Sequence, residues 1–142
     1  MNSKRGILID KFQLKCQNHA MKTILVVDDS RIMRNIVKNT FTTLKIPCHY
    51  LEAENGKKAL QLLETNKVSL IFLDWNMPEM DGLEFLKKVR TMPDYQKLPI
   101  IMVTSESAKY SVVDAFKAGI TDYIVKPVQD KVFKEKLSGL VF

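Results

Sequence analysis

Thr23-Ile24-Leu25-Val26-Val27, followed at once by Asp28-Asp29-Ser30, is the stretch that decides the architecture of this chain. A continuous run rich in β-branched residues has no polar alternate positions, so it reads as a strand covered on both faces. Such a strand needs helices above and below it. The next segment supplies one: Arg31–Leu44 places Ile32, Met33, Ile36, Val37, Thr40 and Leu44 at helical spacing, and Asp29 or Ser30 can cap its first turn.

The same alternation repeats outward from this pair. Cys48–Ala53 is a second strand candidate, followed by a helix over Gly56–Asn66 with Ala59, Leu60, Leu62 and Leu63 on its apolar face. Ser69–Leu73 is a third apolar run, and it too ends in an acid, Asp74. A loop from Asn76 to Gly82 leads to a helix over Leu83–Arg90. Leu98–Val103 is a fourth strand, closed by Thr104-Ser105, and Glu106–Ala118 a helix stopped by Gly119. Asp122–Val125 is a fifth strand ending at Lys126-Pro127, and Asp130–Leu140 a last helix. Five strand–helix units in series predict an α/β domain: a parallel sheet, helices on both faces, right-handed crossovers. In such open sheets the site lies at the carboxyl ends of the strands.

Length and composition fit one domain: 142 residues, 46% hydrophobic and 27% charged. Residues 1–20 read as an extension and residues 21–142 as the domain, with Met21-Lys22-Thr23-Ile24 as a natural start. No apolar run approaches the ~20 residues that span a bilayer. The short stretch Gly6–Ile9 is too brief for a signal-peptide core, so a cytoplasmic protein without membrane association is expected. Cys16 and Cys48, and His19 and His49, show no spacing that marks a disulfide framework or a zinc site. The net charge of +6 divides into +3 from residues 1–20 (four basic, one acidic) and +3 from the rest (18 basic, 15 acidic). The lysines of the body spread over several helices, so no nucleic-acid partner is expected.

Chemistry concentrates where the runs end. Asp28 and Asp29, Asp74, Thr104 and Lys126 close the first, third, fourth and fifth strands, and a parallel sheet gathers them at one rim. Three carboxylates within about 5 Å repel by ~3 kcal/mol per pair at an effective dielectric near 20. The three pairs together approach ~10 kcal/mol, on the scale of a whole domain's ~5–15 kcal/mol stability. Either a cation offsets this or some carboxylates stay protonated. An oxygen-only, water-accessible site favours Mg²⁺ over zinc. With Lys126 adding positive charge, the pocket suits the oxygens of a transferring phosphoryl group, and a carboxylate is a competent nucleophile for it.

Val26-Val27-Asp28-Asp29-Ser30, Asp74-Trp75-Asn76-Met77-Pro78-Glu79-Met80-Asp81-Gly82, Met102-Val103-Thr104 and Tyr123-Ile124-Val125-Lys126-Pro127 resemble bacterial two-component response-regulator receiver domains, most of all the chemotaxis regulators. The resemblance covers essentially everything after Ala20. It implies a flavodoxin-like, doubly wound five-stranded sheet of order 2-1-3-4-5. It implies that Asp74 accepts the phosphoryl group from a histidine kinase and that the protein catalyses only its own Mg²⁺-dependent phosphorylation and dephosphorylation. Asp29, Asp74 and the backbone carbonyl of Asn76 would ligate Mg²⁺, with Asp28 acting mainly through water. Thr104 and Lys126 would bind phosphoryl oxygens, and a cis peptide would join Lys126 to Pro127. Thr104 and Tyr123 would form the switch.

The resemblance also implies a responding surface on the helix after Thr104, the fifth strand and the last helix, where Lys109, Tyr110, Val112, Tyr123 and Lys136 are candidate contacts. Asn76 and Glu106 flank the path of an attacking water. Trp75, beside the acceptor, reads as a surface aromatic or as a reporter of the site. The expected downstream partner is a protein such as a flagellar motor switch component, and a monomer is expected; a phosphorelay intermediate or a regulator of a non-motility target is the alternative. Other phosphate chemistries lack their motifs: there is no glycine-rich Lys-Ser/Thr loop, and Asp28-Asp29-Ser30 is not the Asp-x-Asp-x-Thr of dehalogenase-type phosphatases. Only a final helix follows Lys126, which leaves no length for a DNA-binding domain in this sequence.

Overall fold

A computed structural model describes residues 21–77, 79–105 and 109–140. Five parallel strands form one sheet: β1 (Lys22–Val27), β2 (Cys48–Ala53), β3 (Leu70–Asp74), β4 (Ile100–Thr104) and β5 (Asp122–Val125), in the order β2-β1-β3-β4-β5. The helices are α1 (Arg31–Thr43), α2 (Gly56–Thr65), α3 (Gly82–Thr91), α4 (Lys109–Ala118) and α5 (Asp130–Ser138). The doubly wound sheet and its strand order are those that the resemblance implied.

Alternate strand residues feed two separate cores, because successive side chains point to opposite faces. Leu25, Val27, Ile71, Leu73, Ile100 and Met102 pack against α2, α3 and α4. Ile24, Val26, Leu70, Phe72, Ile101 and Val103 pack against α1 and α5. On that second side Phe72 and Phe133 stack with centroids 5.0 Å apart, and Phe41 meets both edge-on. Three helices leave the strand ends under side-chain caps: Ser30, Asn55 and Asp81 accept from the N–H groups of Met33, Lys58 and Glu84.

The elements differ in detail from their sequence reading. β4 starts two residues later than the apolar run and ends one later, because pairing with β3 sets its register from Ile71 opposite Ile100, while Leu98 is buried without joining the strand. A 3₁₀ turn at Pro93–Tyr95 carries no periodic signal. α1 docks through Val37, Thr40 and Phe41, so Ile32 stays 73% exposed although it shares the predicted stripe. The predicted helix start at Glu106 lies outside the described residues, as do the extension 1–20 and the side chains of Lys109 and Tyr110. Among the described residues, no helix is long and apolar enough to cross a membrane.

Candidate functional site

Strand register assembles the site. Val27 lies opposite Leu73, so Asp28, one residue past β1, comes level with Asp74, the last residue of β3. Asp74 lies opposite Val103, which sets Thr104 one step further along β4. Thr104 lies opposite Val125 and its carbonyl accepts from the Lys126 N–H at 2.8 Å, so Lys126 turns out of β5 at the same rim. The Lys126–Pro127 peptide is cis, as implied.

Asp28, Asp29 and Asp74 each offer a carboxylate oxygen within 4.8 Å of the others. They are the one group of this kind among the described residues, and His49, exposed on β2, takes no part. Lys126 Nζ lies 3.5 Å from Asp74 Oδ1 and 3.6 Å from Asp28 Oδ2, bridging the two buried acids. Asp29 is the exposed member of the group. Ser30 N–H donates to Asp28 Oδ1 at 2.8 Å, and Asn76 N–H donates to Asp74 Oδ1 at a longer 3.4 Å. The Thr104 hydroxyl is buried, and among the described residues it donates to the Ser105 carbonyl at 3.5 Å, a weak contact.

Burial, and then the charge of Asp28, pushes the Asp74 carboxyl up to about 6, against the opposing pull of Lys126. Burial also raises Asp28, with the Ser30 N–H and Lys126 opposing. One lysine therefore compensates two buried acids incompletely. The donor set is oxygen only, negatively charged and partly open through Asp29, which fits a hard divalent cation such as Mg²⁺.

Of the predicted site residues, Asp28, Asp29, Asp74, Asn76, Thr104 and Lys126 gather at this rim, while Tyr123 lies further back along β5, opposite Met102. Tyr123, half-buried on β5, meets Phe116 edge-on at 6.1 Å, with Lys136 Nζ 4.7 Å from its ring centre. Trp75 is not a surface aromatic but 7% exposed, packed against the start of α3. Gly82 permits that approach, since a Cβ there would fall 2.6 Å from Trp75 Cε3 and 2.9 Å from Trp75 Cα. Glu106 lies outside the described residues. Sequence reasoning missed Arg34 and Glu52, which pair beneath the acidic turn at 3.0 Å. They are 18 positions apart, and only the β1–β2 pairing brings them together.

A sheet of this winding order whose rim carries clustered carboxylates, a hydroxyl and a lysine has the build of a receiver-type signalling domain. Residues 24–138 match the family model of the response regulator receiver domain, and the chain belongs to that family. Among its relatives, a chemotaxis protein CheY homolog of Campylobacter jejuni is 52% identical over 83% of this chain and 91% of its own length. Chemotaxis protein CheY1 of Helicobacter pylori is 49% identical over 80% of this chain and 92% of its own. The solved chemotaxis protein CheY4 of Vibrio cholerae superposes with a TM-score of 0.78 at 31% identity, covering 86% of this chain and all of that one. The Mn²⁺-bound form of response regulator Rcp1 superposes with a TM-score of 0.71 at 25% identity, over 82% of this chain and 90% of that one. The family is one of signalling switches rather than of classical enzymes, and these likenesses favour the chemotaxis branch.

Proposed function

We propose that this chain is a chemotaxis response regulator that accepts a phosphoryl group on Asp74 from the phosphohistidine of a kinase and thereby changes a protein-binding face. The observation that carries the reading is the Lys126 ammonium within 3.6 Å of both Asp28 and Asp74, inside a cluster of three carboxylates. An Asp74 carboxylate oxygen attacks phosphorus, the P–N bond breaks as the P–O bond forms, and the histidine leaves as neutral imidazole, protonated on its other ring nitrogen. With its pKa at about 6, Asp74 is mostly ionised at neutral pH and so nucleophilic. Asp28, Asp29, Asp74 and the Asn76 main-chain carbonyl would hold Mg²⁺, Asp28 through water, and the ion would neutralise charge on the transferring group. The Mn²⁺ held by the related Rcp1 supports a divalent cation here.

Lys126 and Thr104 then face new phosphoryl oxygens. Charge-assisted bonds contribute about 1.5–3 kcal/mol each. Two of them approach the ~5.5 kcal/mol that moves a population from 1:99 to 99:1. Drawing Thr104 inward clears space beside Tyr123, whose ring meets the exposed Phe116 edge-on; Val113 on α4 and Val125 on β5 are exposed as well. That face, with Val112 and Lys136, is where a downstream protein such as a motor switch component binds.

The test is Trp75 emission titrated with Mg²⁺ and then with acetyl phosphate, in the parent chain and in Asp74→Asn. The parent responds twice, and the variant loses the response to donor. A donor response that survives in Asp74→Asn, or a phosphoryl mass increment located on another residue, overturns the assignment.

A further inference from the structure

Asp28 is held on four sides. Its N–H donates to the Ala53 carbonyl at 3.0 Å, its Oδ1 accepts from Ser30, and its Oδ2 pairs with Lys126. The fourth contact is the shortest: Arg34 Nη1 donates to the Asp28 carbonyl at 2.6 Å. The same guanidinium donates through Nε to Glu52 Oε1 at 3.0 Å, and Lys38, one turn along α1, donates to Glu52 Oε2 at 2.9 Å. The Arg34 side chain is only 14% exposed. Glu52 directly precedes Ala53, so the contacts close a circuit: Asp28, Ala53, Glu52, Arg34 and back to Asp28. The Asp28-Asp29 turn is thus tied by its main chain both to β2, through Ala53, and to α1, through Arg34.

We propose that Arg34 is a positioning residue for the acidic pocket, fixing the Asp28-Asp29 turn against Asp74 through the Asp28 carbonyl, with Glu52 as its anchor. This rests on the reading of that pocket as a divalent-cation site. Charge alone gives the opposite sign. A guanidinium close to the pocket repels a cation, so deleting it by charge would tighten metal binding. Fixing the turn predicts that deleting it weakens binding. Lysine separates the two effects, since it keeps the charge but is a point donor without the planar fork that serves Asp28 and Glu52 together.

The experiment titrates the full chain with Mg²⁺ alone by calorimetry, in the parent, Arg34→Lys, Arg34→Ala, Glu52→Gln, Asp74→Asn and the control Leu63→Ala. Both Arg34 variants raise the Mg²⁺ dissociation constant about tenfold, the lower end of the ~10–100-fold seen when groups behind metal ligands are lost. Glu52→Gln raises it less, because glutamine still accepts from Arg34. Leu63→Ala, which opens the core under α2, keeps the parent affinity, so general loosening is separated from a misplaced turn. An Arg34→Lys affinity equal to the parent's, or a tighter Arg34→Ala, overturns the proposal. Should Arg34→Ala fail to fold, Arg34→Lys decides alone. An Asp74→Asn titration equal to the parent's overturns the cation-pocket reading itself; loss of binding there beside an unaffected Arg34→Lys overturns only the role of Arg34.

Discussion

At the scale of the residue, the pocket trades stability for reactivity. The Asp74 carboxyl releases its proton at about 6 in the folded chain against an ordinary 3.8. Below about 3.8 the group is protonated in folded and unfolded chains alike and costs nothing. Between there and about 6 the folded chain binds more protons, so stability falls as pH rises, and above that the cost is fully expressed. Two pKa units correspond to about 3 kcal/mol. Asp74→Asn in metal-free buffer is therefore expected to be more stable than the parent by about 1–3 kcal/mol at pH 7.5, a gap that closes near pH 4. Urea unfolding at the two pH values measures it, and a gap independent of pH contradicts it. The acids, Thr104 and Lys126 were legible in the sequence because each ends an apolar run. Arg34 was not, because its role is defined by a carbonyl and a distant glutamate, and neither leaves a local pattern.

At the scale of the element, strands and helices were readable from runs and spacing, while their ends depended on pairing. β3 carries Asp74 as its last ladder residue, a point that an apolar run ending at Leu73 does not reveal. A surface place is one of the two readings open to Trp75 in the sequence, because it follows an acid at the head of a polar loop. In three dimensions α3 folds back over it, and the Gly82 N–H donates to the Trp75 carbonyl at 3.0 Å. Gly82→Ala would drive a methyl against Trp75 Cα, which cannot rotate away. Overpacking of this kind costs about 1–3 kcal/mol, less the ~1 kcal/mol that alanine regains in helix propensity. The expected outcome is a net loss of up to about 2 kcal/mol in urea unfolding, with a shifted Trp75 emission in the native state. An unshifted emission at parental stability would show that the loop yields without cost.

At the scale of the whole molecule, the acidic site and both cores are built from described residues between 21 and 140, and the family match begins at residue 24. Residues 1–20 add +3 of charge. Charges beyond a Debye length of ~8 Å are screened at physiological salt. Because the family match starts after them, deleting residues 1–20 is expected to leave the rate of phosphorylation by acetyl phosphate within about twofold of the parent. A loss of an order of magnitude, followed by intact-protein mass spectrometry, would assign those residues a part in the reaction.

The division of the interior into two layers also determines what light can see. The single indole belongs to the layer shared with α2, α3 and α4, whereas the stacked phenylalanines lie across the sheet with α1 and α5. Emission thus follows the first layer alone, whereas near-ultraviolet dichroism sums the aromatic rings of both, Phe85 and Tyr95 of the first layer included. Followed together through a melt, the two signals tell which side of the sheet gives way first.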